Sequence, residues 1–297
     1  MSKSEIVVEH PQSLEEAMNI KQQSEGNFIA GGTLTQISWE AGLPYSPTLI
    51  NLETIQALRG IEYIEQHDRT FIRIGALTTI AECIENHMII EHTPLLFEAC
   101  KNIAAPAVRN RATLGGNVAS GIGDSIPALL ALDADVTIRI KDKTEQIKLW
   151  EWFQIQREFP QSTFLLLDII IPCQRNRFQS FYKKVGRREA FTPALVTVSA
   201  YWKNGTNGEL AFIRLAVGGG DHHPCRLLIA EKIVETNFHN EKLFKSLYPD
   251  IIDEITSYSD PFFSDTYRKR VAANLLVAEL MEIFLKREAR RDEIKQR

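Results

Sequence analysis

Cysteine is sparse, with four in 297 residues, at Cys83, Cys100, Cys173 and Cys225. No Cys-x-x-Cys pair and no close spacing occurs among them, which excludes reading a zinc site or an iron–sulfur cluster from this chain. They are expected as buried thiols in a reducing compartment. A surplus of basic charge is also missing: 34 Lys and Arg against 38 Asp and Glu give a formal charge of −4 and a pI near 6.0. Without excess cations to displace phosphate counterions, no nucleic-acid partner is expected. No apolar run approaches the ~20 residues of a membrane span, and the one near Leu275 to Leu280 is broken by Glu279. The charged first ten residues do not resemble a targeting segment. No G-x-G-x-x-G follows a strand, which argues against a Rossmann dehydrogenase, and there are no internal repeats. With 44% hydrophobic and 24% charged residues, the chain is expected to be soluble and cytoplasmic, with a substantial core in two domains.

What is present is a pair of glycine stretches, Ala30-Gly31-Gly32-Thr33 and Thr113-Leu114-Gly115-Gly116-Asn117. Each directly follows an apolar segment and is flanked by hydroxyl or amide side chains. Glycine permits positive φ and close backbone approach, so tight turns here can aim several N–H groups at one anion. Read together, they are two halves of a phosphate cradle, and a pyrophosphate-containing cofactor is the natural ligand; read singly, each is also compatible with an ordinary tight turn. Replacing Gly115 and Gly116 by valine is expected to abolish cofactor retention by blocking backbone approach.

Local signals organise the rest. Ser13-Leu14-Glu15-Glu16 and Thr79-Ile80-Ala81-Glu82 fit capping boxes, and Leu14, Ala17 and Met18 give the first helix an apolar face. Thr93-Pro94 marks a helix start, with threonine as cap and proline at the first helical position, running to about Asn102. Strands are expected at Asn27 to Ala30, Leu49 to Leu52, Phe71 to Gly75, Asp135 to Ile140 and Thr163 to Ile171, the last ended by Pro172. Pro127 to Leu132 reads as helix. Ala194 to Trp202 and Leu210 to Val217 are strands joined by Asn204-Gly205-Thr206-Asn207-Gly208, a hairpin signal. A final helix is expected to start at Ser264 or Asp265 and pass Leu285, its charged end reading as a solvated tail. His222 and His223, adjacent and without further ligands, read as loop residues rather than metal ligands.

The run from Ile103 through Arg109-Asn110-Arg111 to Asn117, followed by Gly123-Asp124 and Pro127 to Ala134, closely resembles the flavin-binding subunits of molybdenum hydroxylases, the xanthine dehydrogenase and carbon monoxide dehydrogenase group. The likeness covers nearly the whole chain, from Pro11 to Ala17, through Ile74 to Thr79, to Pro224, Arg226 and Tyr267 to Arg270. It implies an α+β chain: a two-subdomain FAD-binding fold of the PCMH (vanillyl-alcohol oxidase-like) type over residues 1–173, split near residue 57, then an α+β C-terminal domain with an antiparallel sheet and helices over 174–297.

The resemblance implies FAD contacts at Phe28, Ile29, Ala30, Gly31, Gly32, Thr33, Leu34, Thr35 and Gln36, and at Thr113, Leu114, Gly115, Gly116 and Asn117. Further contacts are implied at Ile103, Asp124, Leu166 and Lys183. A carboxylate at Asp124 suits sugar hydroxyls, although aspartate is equally a favoured helix cap. Arg187 and Arg188 match a basic loop near the approach of a nicotinamide cofactor, or form a solvated turn. With no cluster-binding cysteines here, molybdopterin and [2Fe-2S] clusters are expected on partner subunits. The implied function is electron transfer from those clusters through FAD to NAD in a xanthine dehydrogenase type of complex. A self-contained flavin oxidoreductase of the same fold and a cofactor-free assembly subunit remain as alternatives.

Overall fold

Short strands and helices alternate from the start, each bounded by local chemistry that the sequence advertises. The computed structural model describes residues 6–44, 46–158, 164–173, 178–186, 194–205, 210–220 and 223–295. They fall into two compact units, one of residues 1–91, 103–121 and 133–173, the other of 92–102, 122–132 and 174–297. Two short segments within the first 173 residues thus belong to the second unit.

In the first unit, β1 (Val7–Glu9) precedes α1 (Leu14–Gln23), β2 (Asn27–Ile29), α2 (Thr33–Glu40) and β3 (Thr48–Asn51). The three strands form a wholly parallel sheet in the order β1-β3-β2. Ser13 caps α1 by accepting from the Glu16 N–H at 3.1 Å, while the Glu16 carboxylate accepts from the Gln12 amide at 2.7 Å, one residue before the cap. Ala17 and Met18 are buried with Ile50, Leu52, Leu165 and Leu167 in one hydrophobic cluster.

A five-stranded sheet in the order β4-β5-β8-β6-β7 completes this unit. It comprises β4 (Ile61–Gln66), β5 (Arg69–Gly75), β6 (Asp135–Ile140), β7 (Lys143–Lys148) and β8 (Leu165–Pro172). The central β8 is buried from Leu165 to Ile171; covered on both faces, it is apolar without alternation, except at Asp168, whose buried carboxylate is paired with Arg73 on β5 at 2.9 Å. At its flanks Ile169 faces Ile74 on one side and Val136 on the other. Between β5 and β6 the chain forms α3 (Ile80–Glu85), α4 (His87–His92), α5 (Pro94–Lys101), α6 (Pro106–Arg109), α7 (Leu114–Ala119) and α8 (Ile126–Ala131), and α9 (Leu149–Glu158) follows β7. Thr79 and Glu82 close a full capping box on α3. Thr93 occupies the cap position of α5 but makes no side-chain cap bond, so Pro94 alone marks that start.

The second unit is built on a four-stranded antiparallel sheet, β12-β11-β10-β9. Its strands are β9 (Phe178–Gly186), β10 (Ala194–Asn204), β11 (Leu210–Gly218) and β12 (Cys225–Arg226). β10 and β11 pair as the hairpin signal required; residues 206–209 of its turn lie outside the described residues. Helices α10 (Leu228–Asn237), α11 (Leu243–Glu254) and α12 (Asp265–Lys295) join Val198, Ala200, Ile213 and Leu215 in one core through Ala230, Leu247 and Leu276. Buried Glu231 on α10 grips Arg226 at 3.0 and 2.6 Å and accepts from the Leu215 amide at 2.9 Å, completing β11 where β12 is too short to pair it. Arg268, 1% exposed, pairs with Asp260. Arg226 and Arg268, singled out by resemblance, therefore hold the fold together.

The four cysteines form no disulfide, with Cys83 and Cys100 buried but Cys173 and Cys225 only partly so. Among the described residues no helix is long and apolar enough to cross a membrane, and no His, Cys, Asp or Glu group could hold a metal.

Candidate functional site

The first glycine stretch ends β2 and opens α2. Gly32 is the N-cap, with φ +72° and no side chain to cap the helix, a conformation glycine adopts without strain. The first intrahelical bond runs from the Gln36 amide to the Gly32 carbonyl at 2.9 Å. The amides of Gly32, Thr33, Leu34 and Thr35 have no acceptor among the described residues. Uncapped donors of this kind, at the positive end of the helix dipole, form an anion-binding site. These donors extend from the glycine turn into a helix that the sequence had not disclosed.

The second stretch is different. Thr113 caps α7 by accepting from the Gly116 N–H at 3.0 Å, so Gly115 and Gly116 lie within a helix rather than a tight turn, and neither has positive φ. The Leu114, Gly115 and Asn117 amides donate to the carbonyls of Thr78, Ala76 and Thr113 at 2.8, 2.9 and 3.0 Å. With Gly116 bonded to its cap, all four amides are used inside the protein. Gly115 is glycine for packing: an added Cβ would lie 2.5 Å from both the Ala76 Cβ and its carbonyl oxygen. Ala76 in turn donates to Leu167 O on β8 at 2.9 Å. The Ile74 to Thr79 motif thus seats the second glycine run against the sheet.

The first stretch nevertheless meets the segment leading into the second. An added Cβ on Gly31 would lie 1.7 Å from the Arg111 carbonyl oxygen. The Arg111 guanidinium reaches back to Gly31 O at 3.3 Å and to Glu53 at 3.4 Å. Gly31 is therefore the contact residue and Gly32 the conformational one. Arg111 was missed by sequence reasoning; its signal was a basic pair, Arg109 and Arg111, directly before the second glycine run.

The remaining expected positions distribute between the units. Phe28 and Ala30 are partly buried against the first unit's small core, with Ile29 ending β2. The Gln36 amide group donates to Glu40 within α2 at 2.9 Å. Ile103, 6% exposed, and Leu166, on β8 opposite Ile138, are buried in the first unit.

Asp124 and Lys183 lie in the second unit. Asp124 is not a helix cap, since Ser125 occupies the cap position of α8. Its carboxylate takes Lys184 Nζ at 2.7 Å, and its carbonyl accepts from the Tyr182 hydroxyl at 2.9 Å. Burial raises the Asp124 pKa above its ordinary value, and Lys184 opposes the rise. Burial also pushes the Tyr182 phenol well above its usual range. Lys183 turns to the opposite strand face, with Nζ 2.8 Å from Glu279 on α12. The strand's alternation puts the two lysines on opposite faces, and the packing decides that Lys184 meets Asp124. Arg187, Arg188 and His222 lie outside the described residues, and His223 Nε2 is 2.6 Å from the Tyr258 hydroxyl.

Comparison with known proteins gives this arrangement a family. Residues 3–174 match the model of the FAD binding domain in molybdopterin dehydrogenase. The chain is 30% identical over 234 residues to the nicotinate dehydrogenase FAD-subunit of Eubacterium barkeri, covering 75% of this chain and 77% of that one. It is 24% identical over 265 residues to the xanthine dehydrogenase FAD-binding subunit of Escherichia coli O157:H7, covering 86% and 88%. A chain of carbon monoxide dehydrogenase from Hydrogenophaga pseudoflava superposes with a TM-score of 0.82 at 21% identity, over 95% of this chain and 98% of that one, and so shares the fold. The chain therefore belongs to the family of FAD-binding subunits of molybdenum hydroxylases.

Proposed function

We propose that this chain is the electron-transfer subunit of a multi-subunit molybdenum hydroxylase of the xanthine dehydrogenase type, with NAD as the electron acceptor. The observation that carries the reading is the set of four amides at Gly32, Thr33, Leu34 and Thr35, aimed outward without a cap. A diphosphate supplies the several acceptor oxygens that such a cluster lacks. Arg111 adds a positive charge at the same glycine run. Gly31 allows the close seating of the 111–112 backbone, and Ile103 and Leu166 offer apolar surface for a ring.

When bound, a flavin accepts electrons singly and releases them in pairs, which suits a junction between one-electron centres and a nicotinamide. The residues of this chain hold and orient it. No cysteine grouping could bind a cluster among the described residues, so molybdopterin and [2Fe-2S] centres are assigned to partner subunits. A self-contained flavoenzyme would need its own substrate pocket and a proton donor placed by the flavin, and the described residues identify neither.

The test has two stages. The purified chain is incubated with FAD, desalted and examined for retained absorption bands of oxidised flavin. The complex, co-purified with its partners, is then assayed with xanthine, nicotinate and an aldehyde, each with NAD. Retained flavin with xanthine-dependent NADH formation is expected. Flavin absent from both the chain and the complex would overturn the cofactor role, while NADH formation only with another substrate would overturn the xanthine assignment alone.

A further inference from the structure

Among the described residues, five non-glycine positions have positive φ, namely His67, Asp68, Ala104, Asp133 and Lys141. Four are polar, and three of these, His67, Asp68 and Lys141, sit in the turns joining β4 to β5 and β6 to β7. Ala104, at φ +42°, is the exception. Alanine has no polar side chain to support the left-handed conformation and meets its steric cost in full. Such a residue persists only where its surroundings over-determine it, and strain of this kind collects around functional sites.

Arg109 is what over-determines it. One guanidinium nitrogen, Nη1, donates to the Ile103 carbonyl at 2.9 Å and to the Ala104 carbonyl at 2.7 Å. Arg109 is the last residue of α6, so its side chain folds back over the helix onto the two carbonyls that precede it. Beyond α6, the Arg111 and Ala112 amides both return to Val108 O, at 3.0 and 2.7 Å. Residues 103–112 are thereby closed at both ends. The exit of this closed segment is the wall against which Gly31 rests, with its Cα beside the Arg111 carbonyl.

We infer that Arg109 is a positioning residue for cofactor binding: by holding Ala104 left-handed it fixes the 103–112 segment, and so the seat of the Gly31 turn that aims the α2 amides. The inference rests on the cofactor reading above. It assigns a role to a residue outside the amide cluster itself.

The test uses the full chain and three proteins: wild type, Arg109→Leu, and Arg109→Leu combined with Ala104→Gly. FAD affinity is measured by fluorescence titration, and hydrogen–deuterium exchange is followed without FAD. Loss of the clamp should weaken FAD binding about tenfold and raise exchange together across residues 103–112 and 28–36. Glycine at 104 removes the steric cost, so the double variant should recover most of the affinity without the arginine. An affinity within twofold of wild type in Arg109→Leu overturns the inference. So does a double variant no better than the single one, because the arginine would then matter through general stability. If wild type itself binds no FAD, the cofactor reading falls; exchange that rises in 103–112 but not in 28–36 then overturns the clamp independently.

Discussion

Gly115 and Gly116 are neighbours in one helix, yet alanine should act differently at the two. At Gly115 the new Cβ would lie 2.5 Å from the Ala76 Cβ and its carbonyl oxygen. Ordinary carbon contacts are about 3.5–4.0 Å, so the two backbones must separate by about 1 Å. Ala76 cannot yield freely, because its amide is bonded to Leu167 O at 2.9 Å. Overpacking of this kind costs about 1–3 kcal/mol, and stretching the Gly115–Ala76 hydrogen bond adds about 1 kcal/mol. The helix-propensity gain of alanine over glycine returns about 1 kcal/mol. The net loss is about 2 kcal/mol, or roughly 4–8 °C in Tm for a unit of this size. At Gly116 the nearest atom is the Thr113 hydroxyl at 2.9 Å. A weakened cap worth about 1 kcal/mol there offsets a propensity gain of similar size, leaving Tm nearly unchanged. Thermal unfolding of both variants without FAD, followed by circular dichroism, makes the comparison. A Gly115→Ala protein as stable as wild type, or an equal loss at both positions, would refute the packing argument. Flavin loss in the double valine variant accordingly reports a displaced α7, not a blocked approach to a ligand.

Thr79→Ala removes the hydroxyl that caps α3 at 3.1 Å from the Glu82 amide, and should destabilise by about 1 kcal/mol in urea unfolding; no change would mean that the end is satisfied by water. Glu231→Ala leaves the half-buried Arg226 without its bidentate partner and the Leu215 amide without an acceptor. A loss of about 3–5 kcal/mol is expected, confined in hydrogen exchange to the second unit, and uniform exchange over both units would contradict it. Asp124 has a folded-state pKa raised above its ordinary 3.8, mainly by burial. Its contribution to stability is complete below that value and is lost as pH climbs through the raised one. Asp124→Asn should therefore show a shallower decline of stability with pH across that window, and an unchanged slope would place the titration elsewhere.

Local chemistry was the part of the fold legible in the chain. Caps at Ser13 and Thr79, the alternation of β6, the apolar run of β8 and the Asn-Gly hairpin act over a few residues, so they can be read without knowing the partners. What glycine does at each position was not legible, because φ freedom, packing clearance and ligand approach leave the same letter in the sequence. Only the tertiary structure distinguishes Gly32, which turns the chain, from Gly31 and Gly115, which admit a neighbouring backbone. It also decided that Lys184 rather than Lys183 pairs with Asp124, since a strand's alternation offers two faces and the packing chooses which one meets the carboxylate. Arg109 and Arg111 follow the same logic. Their sequence pattern shows two charges before a glycine run, while their roles as clamp and wall arise from carbonyls that folding alone brings within reach.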